Sequence, residues 1–144
     1  MKVEECDSEG REVIFIDNSN PVEISKFTFK KNMAKSVKQA IDVRSSVVTE
    51  FIDSEFSTIE QTVIHFYSSN ISNVMNVTFE DSLQGVSLAE SDFSVESSKF
   101  MNLGKQSSDI TGAAIMSTNS DLEVINATFL ENKGESGAAV NLDC

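Results

Sequence analysis

A residue pattern that returns every 22 to 29 positions constrains this chain more than any other feature. Short pairs with one residue between them recur as Ile14/Ile16, Ile41/Val43, Ile64/Phe66, Val86/Leu88, Ile115/Ser117 and Val140/Leu142, apolar throughout except at Ser117. Their first members lie 27, 23, 22, 29 and 25 residues apart. Alternation inside each pair is the two-residue period of a strand, and repetition at this spacing marks a solenoid. A second element lies between the pairs, an apolar residue with Phe five positions later: Ile24/Phe29, Phe51/Phe56, Val74/Phe79, Val95/Phe100 and Val124/Phe129. The step from each pair to this element is 9 or 10 residues, whereas the step from the Phe to the next pair runs from 7 to 15. A rigid wall followed by a tolerant loop produces that contrast.

The five-residue step predicts a corner. Residues an odd number apart on one strand face opposite sides, yet both ends of this step are apolar, so the chain turns between them. Lys26, Asp53, Asn76, Ser97 and Asn126 sit three residues before each Phe, and Asn, Asp and Ser suit tight turns. Small residues precede later strands at Gly85, Gly112-Ala113-Ala114 and Gly137-Ala138-Ala139, where a backbone bends beside a packed core. These features predict an all-β fold, a right-handed parallel β-helix solenoid of about six coils of roughly 25 residues over 13–144. Residues 1–12 form a charged lead-in and partial cap. Ile14, Ile41, Ile64, Val86, Ile115 and Val140 would stack inward, as would Phe29, Phe56, Phe79, Phe100 and Phe129. An antiparallel sandwich is disfavoured because its hairpin signals, Asn-Gly or Asp-Gly, are absent. Ala34, Val37, Ala40 and Ile41 fall at helical spacing, which leaves room for a short helical turn before the second coil.

The last third carries a family resemblance. Phe129-Leu130-Glu131-Asn132 followed by Gly137-Ala138-Ala139-Val140 resembles the FxxN and GGAI repeats of chlamydial polymorphic outer-membrane proteins. It also resembles the pectin-lyase-like β-helix surface proteins of ciliates and other protists. Phe29-Lys30-Lys31-Asn32 fits FxxN, and Gly112-Ala113-Ala114-Ile115 fits the GGAI element with Ala for the second Gly. Ile59, Ser82 and Leu103 stand where Asn is expected, so the middle coils depart from the motif. The resemblance spans residues 10–144 as architecture and implies a non-catalytic extracellular stalk, adhesin or scaffold. It implies the fold more firmly than the role.

Charge and composition remove several functions. With 23 acidic and 11 basic residues the chain carries a net charge of −12, the wrong sign for a nucleic-acid backbone. No apolar run approaches the roughly 20 residues of a membrane span. Cys6 and Cys144 with one His make no zinc cluster, and the Gly-Gly-x-Gly-x-Asp repeat of a calcium-binding roll is missing. No cofactor is expected. A polysaccharide hydrolase needs carboxylates held across the sugar bond, and the outward row Phe15, Asp42, His65, Ser87, Met116 and Asn141 offers one carboxylate beside one imidazole. Asp42 and His65, one coil apart, could tune a proton-transfer group, or make a surface contact on a solvated face.

The remaining signals concern location and partners. Asn70-Ile71-Ser72, Asn76-Val77-Thr78 and Asn126-Ala127-Thr128 are acceptor triplets for N-glycosylation; Asn70 is the preferred one, since it falls in the less constrained connection. Lys26, Lys30, Lys31, Lys35, Lys38 and Arg44 gather six of the eleven basic residues within nineteen positions, a patch for an anionic polymer or an acidic partner, or simply a solvated loop. Cys6 and Cys144 belong to the first and last coils, too distant to pair with each other. No secretory leader is visible, and the apolar pair Val140/Leu142 ends the chain without a polar cap. The expectation is a structural or adhesive segment of a larger cell-surface or secreted protein, meeting protein partners, glycans or further coils at an open end. Two other readings stay open: a carbohydrate-binding or polysaccharide-cleaving module using loops 30–40 and 101–114, and a cytoplasmic assembly component if the chain is complete.

Overall fold

A computed structural model describes residues 14–32, 39–104, 114–135 and 137–143. All sixteen elements are strands, and they come in threes. Coil 1 holds β1 (Ile14–Asp17), β2 (Val22–Ser25) and β3 (Thr28–Asn32); coil 2 holds β4 (Gln39–Arg44), β5 (Val47–Ile52) and β6 (Glu55–Ile59). Coil 3 holds β7 (Thr62–Tyr67), β8 (Asn70–Met75) and β9 (Thr78–Glu80). Coil 4 holds β10 (Gln84–Ala89), β11 (Asp92–Glu96) and β12 (Lys99–Met101). Coil 5 holds β13 (Ile115–Thr118), β14 (Asp121–Ile125) and β15 (Thr128–Leu130), and β16 (Val140–Asp143) opens a sixth.

Equivalent strands pair in parallel, coil upon coil. Sheet A runs β1-β4-β7-β10-β13-β16, sheet B runs β2-β5-β8-β11-β14 and sheet C runs β3-β6-β9-β12-β15. The described residues therefore form a parallel β-solenoid of five full coils and one further strand, just short of the six coils expected. The long and variable connections all lead from sheet C back to sheet A, from the two residues between Ile59 and Thr62 to the thirteen between Met101 and Ile115. Loop-borne variation is thereby confined to one edge of a constant prism.

The register places identical positions in columns. Ile14, Ile41, Ile64, Val86, Ile115 and Val140 are successive partners in sheet A. Ile24, Phe51, Val74, Val95 and Val124 form the matching column in sheet B. In sheet C the column is Phe29, Phe56, Phe79, Phe100 and Phe129. The last four rings stack nearly parallel, with centroids 5.4, 4.9 and 5.1 Å apart. Phe29 sits further from Phe56, at 6.5 Å, because Phe27 also packs on that ring at 5.6 Å. Four Phe outside the column, Phe27, Phe51, Phe66 and Phe93, are buried as well.

The three corners share one backbone device. Fourteen non-glycine residues among those described have φ between 48 and 58 degrees. They fall into three sets: Asn18, Ser45, Ser68, Glu90 and Asn119 between sheets A and B; Lys26, Asp53, Asn76, Ser97 and Asn126 between B and C; Thr58, Asp81, Asn102 and Glu131 at the exit from C. The second set is the one the five-residue step predicts. A left-handed residue reverses the side-chain alternation locally, which lets both flanking apolar residues face inward. Asn and Asp, seven of the fourteen, tolerate that region best.

Side chains at the corners clamp one coil to the next. After each left-handed residue of the first corner comes a serine: Ser19, Ser46, Ser69, Ser91 and Ser120. The backbone N–H of Ser19 donates to Ser46 Oγ at 3.1 Å, that of Ser46 to Ser69 Oγ at 3.2 Å, that of Ser69 to Ser91 Oγ at 3.1 Å, and that of Ser91 to Ser120 Oγ at 3.0 Å. Each of these hydroxyls donates in turn to the carbonyl two residues before it, as Ser91 does to Ala89 at 2.9 Å. The other two corners alternate. At the second, Ser54 and Ser98 accept the N–H groups of Phe27 and Val77 at 3.1 Å each. At the third, Ser82 Oγ accepts from Ile59 at 3.1 Å, while Asn132 Oδ1 accepts from Leu103 at 3.0 Å and its Nδ2 donates to the Phe100 carbonyl. Every interface between successive full coils thus has a first-corner serine and one further clamp. The departures from FxxN in the middle coils have a physical reason: Ile59 and Leu103 supply the N–H, and Ser82 and Asn132 supply the acceptor.

Close packing explains one small residue. A Cβ on Gly85 would lie 2.6 Å from the carbonyl oxygen of Ala114, the same oxygen that accepts the Val86 N–H at 2.9 Å. Gly112 and Ala113 fall outside the described residues, as do 1–13, and with them the lead-in and Cys6. Among the described residues, no helix is long and apolar enough to cross a membrane.

Candidate functional site

The outer face of sheet A carries the one charged residue that is buried among the described residues. Phe15, Asp42, His65, Ser87, Met116 and Asn141 form a single outward row in register. Asp42 was expected on a solvated face, but it is completely buried. Its position explains this: in register it lies between Phe15 and His65, and Arg44, two residues along on the same face, crosses it. The Arg44 guanidinium reaches 2.6 Å from Asp42 Oδ2 and sits 5.4 Å from the centre of the Phe15 ring. His65 Nδ1 is 3.0 Å from Asp42 Oδ1. Burial alone would raise the Asp42 carboxyl, but hydrogen bonds from Arg44 and His65, and their positive charge, outweigh it and hold it below the usual carboxylate range.

In its neutral form the His65 imidazole is also oriented by this contact, because a carboxylate accepting from Nδ1–H leaves Nε2 as acceptor. Ser87, next in the row, makes no hydrogen bond to His65, so the described residues hold a carboxylate–imidazole pair and not a relay to a hydroxyl. Nor do they bring together three His, Cys, Asp or Glu side chains able to hold a metal ion.

The basic patch is only partly described. Lys26 occupies a left-handed corner and is exposed, and Arg44 is committed to Asp42. Lys30 and Lys31 lie in β3, on a different sheet from Arg44. Lys35 and Lys38, with most of loops 30–40 and 101–114, lie outside the described residues, as does Cys144.

The three sequons are exposed, on different parts of the wall. Asn70 was expected in a loosely held connection, but it is the first residue of β8, directly after the Ser69 clamp, and its Nδ2 donates to Asp92 Oδ2 at 3.3 Å. Asn76 and Asn126 are left-handed corner residues, and Asn76 Nδ2 donates to Asp53 Oδ1 at 2.7 Å. Beside Asn70 a shallow groove crosses sheet B, about 510 Å³ in volume, lined by polar and acidic side chains including Ser72, Asp92, Ser94, Asp121 and Glu123. Ser94 Oγ donates to Glu123 Oε2 across it at 2.9 Å.

Two features escaped the sequence reading. The Arg44 contact was readable in principle, since residues two apart on a strand share a face. The groove was not, because its walls are 22 to 29 residues apart along the chain. Comparison with protein-family models, with curated proteins and with solved structures gives no match.

Proposed function

We propose that this chain is a non-catalytic structural segment of a larger cell-surface or secreted protein, a stiff β-solenoid that supports protein or glycan contacts on its outer faces. One observation carries the reading: polar groups inside the wall serve cohesion. Of the nine buried polar or charged residues among those described, six are serines that clamp coil to coil. The buried carboxylate fits the same pattern, since Asp42 ties β4 to β7 through His65. Surface display agrees with the three exposed sequons and with an outer surface rich in carboxylates. The test is labelling of intact, unpermeabilised source cells with an antibody to this segment, together with a mobility shift on enzymatic deglycosylation. Labelling only after permeabilisation, without a shift, would favour an intracellular assembly component.

A second reading has one specific support. Asp42, His65 and Arg44 meet on a face that also exposes Phe15 and Tyr67, and such a mixture of charge and aromatic surface suits a sugar polymer. A glycan array paired with a reducing-end release assay separates the two. The scaffold reading expects no release; release abolished by Asp42→Asn or His65→Ala would make this face a cleaving site.

A further inference from the structure

Asn70 stands where two depressions of the outer wall meet. The groove across sheet B, about 510 Å³, and a smaller depression of about 380 Å³ at the first corner share two lining residues, Asn70 and Asp92. Of the three sequons, only Asn70 borders either of them. Coils 3, 4 and 5 meet in the groove: Asn70, Asp92 and Asp121 are successive partners in register, and Ser94 pairs with Glu123 beside them. From β8 to β14 the groove crosses two strand spacings, about 10 Å.

The groove is rich in acceptors and poor in donors. Asp92, Asp121 and Glu123 are exposed carboxylates, which only accept when ionised. Asp92 faces Asp121 directly, and like charges so placed destabilise a strand pair. Asn70 Nδ2 donates to Asp92 at 3.3 Å, and Ser94 Oγ donates to Glu123 at 2.9 Å. A ligand with many hydroxyls supplies further donors without adding charge. A sugar chain is such a ligand, and Asn70 is a point from which one can grow. Its Nδ2 carries two hydrogens: one goes to Asp92, and the other is the one a glycosyl group replaces.

We propose that Asn70 is N-glycosylated and that the groove on sheet B seats the first sugars of that glycan. In the transfer, Asn70 Nδ2 bonds to the anomeric carbon of an oligosaccharide carried on a lipid diphosphate. The bond from that carbon to the phosphate oxygen breaks, the lipid diphosphate leaves, and one Nδ2 proton passes to a base of the transferase. The remaining N–H keeps its contact with Asp92. Sugar hydroxyls then donate to Asp121 and Glu123, which ties coils 3 to 5 together from outside. Asn76 and Asn126 sit at left-handed corners instead, where a glycan projects into solvent. The inference rests on the secreted reading, since the transfer acts on a chain entering the secretory path.

The experiment produces the full chain behind an added secretory leader in a eukaryotic host that N-glycosylates. Its outcome is then independent of the chain's own location, which the labelling of intact source cells decides. Glycopeptide mass spectrometry reads occupancy, and digestion of the native protein with a peptide N-glycosidase reads how firmly each glycan is held. Expected is an occupied Asn70 whose glycan is removed roughly fivefold faster from Glu123→Ala, as for one lost hydrogen bond. Rates at any other occupied sequon should not change. Asp121→Ala should act as Glu123→Ala does, and both changes fall at exposed positions. Glu50→Ala removes an exposed carboxylate of the same sheet that does not line the groove, and should leave the Asn70 rate as it is. An empty Asn70, a rate there untouched by both groove variants, or equal acceleration by Glu50→Ala would each overturn the proposal.

Discussion

Ser54 Oγ accepts the backbone N–H of Phe27 at 3.1 Å and donates to the carbonyl of Ile52 at 2.9 Å, so one hydroxyl fastens a buried turn of coil 1 to its counterpart in coil 2. Residues 27 apart in the chain are joined here outside the regular strand ladder. Replacing Ser54 with Ala leaves a buried N–H without a partner, which costs about 1–3 kcal/mol. Urea titration of Ser54→Ala should show that loss. A change within ~0.3 kcal/mol would mean that the clamp contributes nothing.

The ring stack predicts a larger effect. Phe79 lies between Phe56 and Phe100, 5.4 and 4.9 Å from their centroids, and is fully buried. Phe79→Ala should destabilise the chain by roughly 3–5 kcal/mol. A loss under about 1 kcal/mol in a denaturant titration would contradict the inward column.

Gly85 gives a test of close approach. Its missing side chain would meet the Ala114 carbonyl at 2.6 Å, and backbone cannot move aside as a flexible side chain can. Gly85→Ala should cost about 1–3 kcal/mol, measurable as a lower thermal midpoint. An unchanged midpoint would show that the β10–β13 contact is looser than described.

At the first corner Glu90 adopts φ 52 degrees, a region that disfavours residues with a Cβ but that Asn tolerates. Glu90→Asn should raise stability by roughly 0.5–1 kcal/mol, and removing one negative charge from a chain at −12 acts in the same direction. A drop in the urea midpoint would argue against the left-handed corner.

Asp42 sets an acid limit. Its folded-state carboxyl is held below the usual range, so its ionised form contributes stability above the unfolded value of about 3.9. That contribution fades as pH falls through the lower folded value. Asp42→Asn should therefore cost about 1.5–3 kcal/mol at neutral pH, and its difference from wild type should shrink below about pH 4. A difference independent of pH would mean that the Arg44 and His65 contacts do not depend on the charge of Asp42.

The columns were legible because a strand repeats its inward residue at the same point of every coil, and Ile14 through Val140 kept apolar character at that point. The second corner was legible from Asp53, Asn76 and Asn126, whose side chains announce a turn. The clamps were not, although a signal existed. Serine follows the inward residue by five positions in each of five coils, at Ser19, Ser46, Ser69, Ser91 and Ser120. It was hidden because serine is common throughout the chain and because a clamp joins two coils, so no single repeat displays it. The alternation of Ile59, Ser82, Leu103 and Asn132 read as decay of a motif for the same reason. Asp42 was misread as solvated because alternation assigns a face, whereas its burial depends on Arg44 and Phe15 closing over that face.

The serine ladder gives the solenoid a chemical direction. Along the first corner every N–H points toward the following coil and every hydroxyl receives it from the preceding one. A coil entered in the opposite polarity would set N–H against N–H at this corner, so the ladder fixes a single direction in which coils can stack.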